Sequence, residues 1–321
     1  MSAATGPASE VLAGRTLRVG TRGSALARTQ TEHIVAQLAA PAEIVHIVTE
    51  GDRSPAALEQ IGGTGVFVSA LRSALLANEI DVAVHSYKDL PTAAAPGIVI
   101  AAVPPREDPR DALVARDGLT LGELPHGSRV GTGSPRRAAQ LRALGLGLDI
   151  VPLRGNVDTR LGKVSSGQLD AVVLAYAGLR RLGRTAEVTE VLDPIQVLPA
   201  PAQGALAIEC RASDAPVIEA LAALDHLDTR AAVTAERALL AALEAGCSAP
   251  VGALAEVAEV DSVGDTEKLE VFLRGSVTSL DGSAAVRLSA TGPTTDADGV
   301  GRRLAADLIA EGAEQMIGSS S

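Results

Sequence analysis

A lysine and an aspartate stand side by side in Val84-His85-Ser86-Tyr87-Lys88-Asp89-Leu90-Pro91, directly behind an apolar run. A strand that ends here, broken at Pro91, puts Ser86, Lys88 and Asp89 at its carboxyl end, where open α/β sheets gather their ligands. A carboxylate fixed at Asp89 would stabilise positive charge as it develops on a bound molecule. The competing reading is an exposed Lys88–Asp89 pair in a loop, which contributes little energetically. Residue types alone leave both readings open.

Arginines offer a second kind of chemistry. In Gly131-Thr132-Gly133-Ser134-Pro135-Arg136-Arg137 the proline suits a first helical position, Ser134 is placed to cap, and two arginines follow in the first turn. Positive side chains there oppose the helix dipole, a cost that a bound anion would offset. Such an anion would satisfy free N–H groups and guanidinium forks together; a solvated arginine pair is the plainer alternative. Leu153-Arg154-Gly155-Asn156-Val157-Asp158-Thr159-Arg160-Leu161 repeats the design, with Asn156 as cap and Arg160 one turn in. Thr21-Arg22-Gly23-Ser24 is a third strand-to-helix turn, with Ser24 as cap. Position has to decide among the arginines, because they outnumber lysines 25 to 3, a bias that a GC-rich genome also produces.

Cys247, in Glu244-Ala245-Gly246-Cys247-Ser248-Ala249-Pro250, is the remaining candidate. A lone cysteine is more often a small buried hydrophobe than a nucleophile, and no motif pairs this one with a histidine base. Cys210, the only other cysteine, sits in an apolar strand and reads as core packing. Two cysteines make neither a disulfide framework nor a metal-type pair.

The elements that must position these residues follow from the apolar periods. Strand 17–20, helix 24–38, strand 43–49, helix 66–78 and strand 80–85 make one βαβαβ run. After a proline-rich passage (Pro96, Pro104, Pro105, Pro109) the same order returns as strand 128–132, helix 134–144, strand 148–152, helix 156–167 and strand 170–174. Glu79-Ile80-Asp81-Val82-Ala83-Val84 echoes Gln168-Leu169-Asp170-Ala171-Val172-Val173, so a weak internal repeat is expected. Two such α/β domains facing each other would make a cleft lined by the turns above. Helices near 214–224 and 229–244, apolar runs near 250–258, 268–277 and 284–290, and a helix near 298–314 then predict a small α+β domain. Residues 1–14 and 318–321 carry no period and are expected to be disordered.

Bulk properties narrow the partners. The 321 residues exceed one ordinary core, and 46% hydrophobic with 21% charged residues describes a folded globular protein. No apolar stretch is long enough to span a bilayer and no basic-then-apolar signal opens the chain, so a cytoplasmic location and no membrane partner are expected. The net charge is −11, but six arginines against Asp149 and Asp158 between Arg129 and Arg160 keep a local cationic surface suited to a small anion. Nucleic acid is a poor candidate, with four aromatic residues in the whole chain for stacking and no overall basic charge, so no nucleic-acid partner is expected.

Taken together, the segments at 84–91, 131–137, 153–161 and 244–250 resemble signatures of the porphobilinogen deaminase family. So do Ala177-Gly178-Leu179-Arg180-Arg181-Leu182-Gly183 and Leu198-Pro199-Ala200-Pro201-Ala202-Gln203-Gly204-Ala205. Gln60-Ile61-Gly62-Gly63-Thr64-Gly65-Val66-Phe67 is similar to the family's mobile glycine-rich loop, with Thr64 where a lysine is common. The resemblance implies two doubly wound domains like those of periplasmic binding proteins flanking a cleft, 15–107 with 199–224 and 108–198. It also implies a C-terminal cofactor-attachment domain, 225–317, and a monomer.

By the same resemblance, four porphobilinogens condense head to tail with loss of ammonia, on a dipyrromethane joined to Cys247 by a thioether, to give hydroxymethylbilane. Asp89 would be catalytic, assisted by Lys88. The cofactor would be held by these two with Ser86, by Thr132, Ser134, Arg136 and Arg137, and by Arg154 and Gly155. Substrate and the growing oligopyrrole would meet Arg22, Ser24 and Phe67 on one side, and Arg154, Arg160, Arg181 and Gln203 on the other. Each pyrrole carries acetate and propionate, so guanidinium partners suit the chemistry. The rival from another class is a non-catalytic binding protein for a small polycarboxylate, a design that two facing α/β domains also serve.

Overall fold

The computed structural model describes residues 12, 14–47, 65–243, 249–260 and 268–317, with backbone alone for 65–67. Both terminal segments expected to be disordered lie outside these residues, apart from Leu12 and Gly14; so do residues 60–64 of the glycine-rich loop, Thr64 among them, and Cys247. The chain divides into two compact units, Met1–Arg106 with Ala205–Arg230, and Glu107–Gly204 with Ala231–Ser321.

In the first unit β1 (Leu17–Thr21), α1 (Ala25–Val35), β2 (Ala42–His46), α2 (Gly65–Leu76) and β3 (Val82–Ser86) follow in the order the apolar periods predict. β4 (Ile98–Ala102) and β10 (Leu206–Arg211) complete a five-stranded sheet in the order β2-β1-β3-β10-β4. β1 is parallel to β2 and β3, while β10 runs antiparallel to β3 and β4. Alternation along the strands divides the core between the faces. Leu17, Val19, Val82 and Val84 pack with Ile34 and with Val217 and Leu221 of α6 (Ala215–Ala222), whereas Ala83 packs with Leu71, Leu75 and Ile80.

The second unit repeats the plan. Its sheet has the order β7-β6-β8-β5-β9, from β5 (Asp111–Ala115), β6 (Arg129–Thr132), β7 (Asp149–Pro152), β8 (Ala171–Ala175) and β9 (Glu190–Val191). Again three strands pair in parallel, and β5 runs antiparallel to both its neighbours, β8 and β9. α3 (Pro135–Ala143), α4 (Val157–Ser165) and α5 (Tyr176–Arg181) follow β6, β7 and β8 in turn. The segment 199–204 belongs with this unit, because Pro199 O accepts from Ala253 N at 2.9 Å and the Gln203 side chain reaches Asp111 at 2.7 Å.

The C-terminal α+β domain has α7 (Leu227–Ala242), the meander β11 (Val251–Val260), β12 (Lys268–Thr278) and β13 (Ala285–Pro293), and α8 (Ala297–Ala310). One face of the meander buries Val251, Leu273 and Val277 against Leu239 of α7 and Val300, Leu304 and Leu308 of α8. The fold is therefore α/β with two doubly wound sheets and a small C-terminal domain. No described helix is long and apolar enough to cross a membrane.

Candidate active site

In the first unit two turns meet at one end of the sheet. Ser24 caps α1, accepting from Ala27 N at 3.2 Å. β3 ends at Ser86, and Tyr87–Asp89 form a 3-10 turn closed by Leu90 N on Tyr87 O at 3.1 Å. Parallel pairing of β1 with β3 sets these turns side by side, and Arg22, Ser24, Gln30, His85, Ser86 and Asp89 line one cavity together with Val68. Buried Gln30 donates to Ser86 Oγ at 2.9 Å and fixes its position. Lys88 belongs to the turn but not to the cavity lining. Phe67 lies at the start of α2, and its side chain is outside the described atoms.

Behind this wall sits a buried charge cluster. His85 Nε2 lies 3.2 Å from Glu209 Oε2, and Arg72 of α2 grips the same carboxylate through Nη2 at 2.7 Å and Nε at 3.1 Å. Burial alone would raise the pKa of Glu209, but His85 beside it and the hydrogen bonds from Arg72 outweigh it and bring the carboxyl from an ordinary 4.5 down to about 2.

The second unit gathers the arginines. Thr132 Oγ1 accepts from Ser134 N at 3.2 Å, and Ser134 Oγ caps α3 by accepting from Arg137 N at 3.4 Å. Arg136 and Arg137 then turn inward and are buried. Arg136 gives Nη2 to Asp111 Oδ2 at 2.7 Å and Nη1 to Leu198 O at 2.5 Å. Arg137 gives Nε and Nη2 to Asp111 Oδ1 at 3.0 and 2.8 Å, and Nη1 to Val173 O at 3.2 Å. Gln203, buried as well, donates to Asp111 Oδ1 and to Pro109 O, both at 2.7 Å. Burial works to protonate Asp111, yet Arg136 and Arg137 hold its carboxyl far below the usual carboxylate range.

Arg160 differs from these two. Its Nε donates to Gly155 O at 2.8 Å, and among the described residues it has no carboxylate partner. Burial first, then repulsion from Arg137, lowers its pKa. Gly133 makes the close approach possible, since a Cβ there would stand 2.5 Å from Leu153 O and 3.9 Å from Arg160 Nη2. Arg154 and Gly155 are exposed in the turn before α4, which Asn156 caps by accepting from Thr159 N at 2.8 Å. Arg181 donates to Gly204 O at 2.7 Å; burial lowers its pKa and Glu107 opposes the shift. Gly204 has φ +87°, and a Cβ there would come within 2.2 Å of Glu107 O, so only glycine keeps this turn.

Sequence reasoning missed Asp111, Gln30, His85 and Glu209 as parts of these sites. Two arginines in one first helical turn were a signal that an internal counter-charge was needed, but nothing in the sequence pointed to Asp111, 25 residues upstream of Arg136.

Residues 17–219 match the family model described as "Porphobilinogen deaminase, dipyromethane cofactor binding domain", and residues 230–310 match "Porphobilinogen deaminase, C-terminal domain". The chain belongs to the porphobilinogen deaminase family. Porphobilinogen deaminase of Nocardia farcinica is 62% identical over 309 residues, covering 95% of this chain and 88% of the relative. That of Mycobacterium bovis is 62% identical over 305 residues, covering 94% and 98%. Among solved structures, the periplasmic aliphatic sulphonate binding protein SsuA from Escherichia coli is similar at a TM-score of 0.36 and 18% identity, covering 71% of this chain and 70% of its own, too slight a likeness to carry an argument. Membership of the porphobilinogen deaminase family disfavours the rival reading of a non-catalytic binder.

Proposed function

We propose that this protein is a cytoplasmic, monomeric transferase that condenses four porphobilinogens head to tail into hydroxymethylbilane, releasing one ammonia per condensation. Its priming group would be a dipyrromethane held through a thioether to Cys247; when bound, that group supplies the free pyrrole carbon to which substrate is joined. The donor set fits it. The observation that carries the reading is Arg160, a half-buried guanidinium repelled by Arg137 and lacking a carboxylate among the described residues, in a chain of this family. Such a cation is stabilised by an added carboxylate, and a pyrrole bearing acetate and propionate brings two.

Arg154, Arg160, Thr132, Ser134 and Gly155 would hold carboxylates of the cofactor and chain directly. Arg136 and Arg137, with their contacts to Asp111, would contribute charge from beneath, and Arg181 and Gln203 would act beside Gly204. Arg22 and Ser24, with Phe67 near the start of α2, would receive the incoming substrate next to Ser86. Asp89 would hold the substrate pyrrole N–H and stabilise positive charge as ammonia departs, with Lys88 balancing a carboxylate. An intact-mass spectrum of the purified protein tests this, together with ammonia release from porphobilinogen. The expected result is a chain heavier than its sequence by a dipyrromethane, with turnover; a bare sequence mass and no ammonia would refute the reading.

A further inference from the structure

Asp111 has no part in the chemistry described so far, yet it is among the most heavily bonded side chains of the second unit. It is fully buried at the start of β5 and accepts from Arg136, from two nitrogens of Arg137 and from Gln203 at 2.7 to 3.0 Å. Arg136 and Arg137 share this one carboxylate, and Arg137 in turn repels the guanidinium of Arg160. The cluster is left with two uncompensated positive charges, which matches the two carboxylates of a single pyrrole. Leu198 O and Val173 O take further N–H groups of Arg136 and Arg137, so neither arginine can follow a ligand.

We propose that Asp111 is a positioning residue for the condensation: by clamping Arg136 and Arg137 it presents their charge to the Arg160 turn as a fixed field. This rests on the proposed function, and it predicts a sign that simple charge counting reverses. Removing a negative charge beside a polycarboxylate site should tighten binding if Asp111 acts only through its charge. If Asp111 positions, the same change releases both arginines and weakens binding.

The test is initial-rate ammonia release against porphobilinogen concentration, normalised to folded protein that carries pyrrole colour. Asp111→Asn is expected to raise KM and to lower kcat/KM at least tenfold. Asp111→Glu, which keeps the charge but shifts it by one methylene, is expected to lower kcat/KM about threefold or more. An Asp111→Asn protein with unchanged or lower KM, or an Asp111→Glu protein equal to wild type, would overturn the proposal. If neither variant folds, Gln203→Leu removes one contact to Asp111 while leaving both ion pairs. A drop of about threefold in kcat/KM supports the proposal, and wild-type kinetics overturn it. Wild-type protein that released no ammonia would refute the functional reading instead, so the two failures are distinguishable.

Discussion

Replacing Glu209 with glutamine should remove most of one acid-labile component of this protein's stability. Glu209 is buried in β10 and held by Arg72 and His85, which lower its pKa from 4.5 to about 2. A carboxyl whose pKa is depressed on folding stabilises above its unfolded pKa, and that contribution is lost as pH falls through the folded value. The difference, about 2.5 pH units at about 1.36 kcal/mol each, makes the full contribution about 3 kcal/mol near neutral pH. By pH 3 about 2 kcal/mol of this is gone, because the unfolded carboxyl is by then almost wholly protonated. Glutamine keeps the shape without the charge. Urea melts followed by circular dichroism should therefore show wild type about 3 kcal/mol more stable than Glu209→Gln at pH 6 and only about 1 kcal/mol more stable at pH 3. Asp81 and Asp111 are also depressed on folding, but both are present in both proteins and cancel in the comparison. A gap that stayed constant between pH 6 and pH 3 would refute the argument, since it would mean that Glu209 contributes through packing alone.

Other outcomes follow from the site. Asp89→Asn should keep the fold and the cofactor yet slow single-turnover ammonia release about 100- to 1000-fold, the usual effect of deleting one preorganised charge-stabilising group; a rate within about threefold of wild type would remove Asp89 from the chemistry. Cys247→Ala should give no colour with an acidic aldehyde reagent for pyrroles, whereas Cys210→Ser should react normally, because Cys210 is buried in β10 and its pKa is pushed up to about 11 by that burial. Arg160→Leu should leave the thermal midpoint within a few degrees of wild type, as it removes a half-buried cation without a carboxylate partner among the described residues, while ammonia release falls at least tenfold; wild-type turnover by this variant would place Arg160 outside the binding site.

The sequence by itself determined the alternation of strands and helices, since side-chain periods of two and 3.6 residues are local properties. It also located the turns, because a cap such as Ser24, Ser134 or Asn156 acts on an N–H three residues away. The segments carrying Asp89, Arg160 and Cys247 were legible for the same reason: each is a short run whose residue types stand together in the chain. Tertiary structure alone decided the rest. β4, β5 and β9 went unpredicted, and β5 and β10 enter their sheets antiparallel, with partners supplied by remote parts of the chain. The destination of Arg136 and Arg137 was likewise invisible. As a local pattern they read as two cations awaiting an anion, and only the packing of β5 beside β8 brought Asp111 beneath α3 to receive them. Glu209 meets Arg72 across 137 residues of sequence. A buried charge must find its counter-charge wherever the fold brings one, because leaving water unpaired costs several kcal/mol, and no local rule encodes that search.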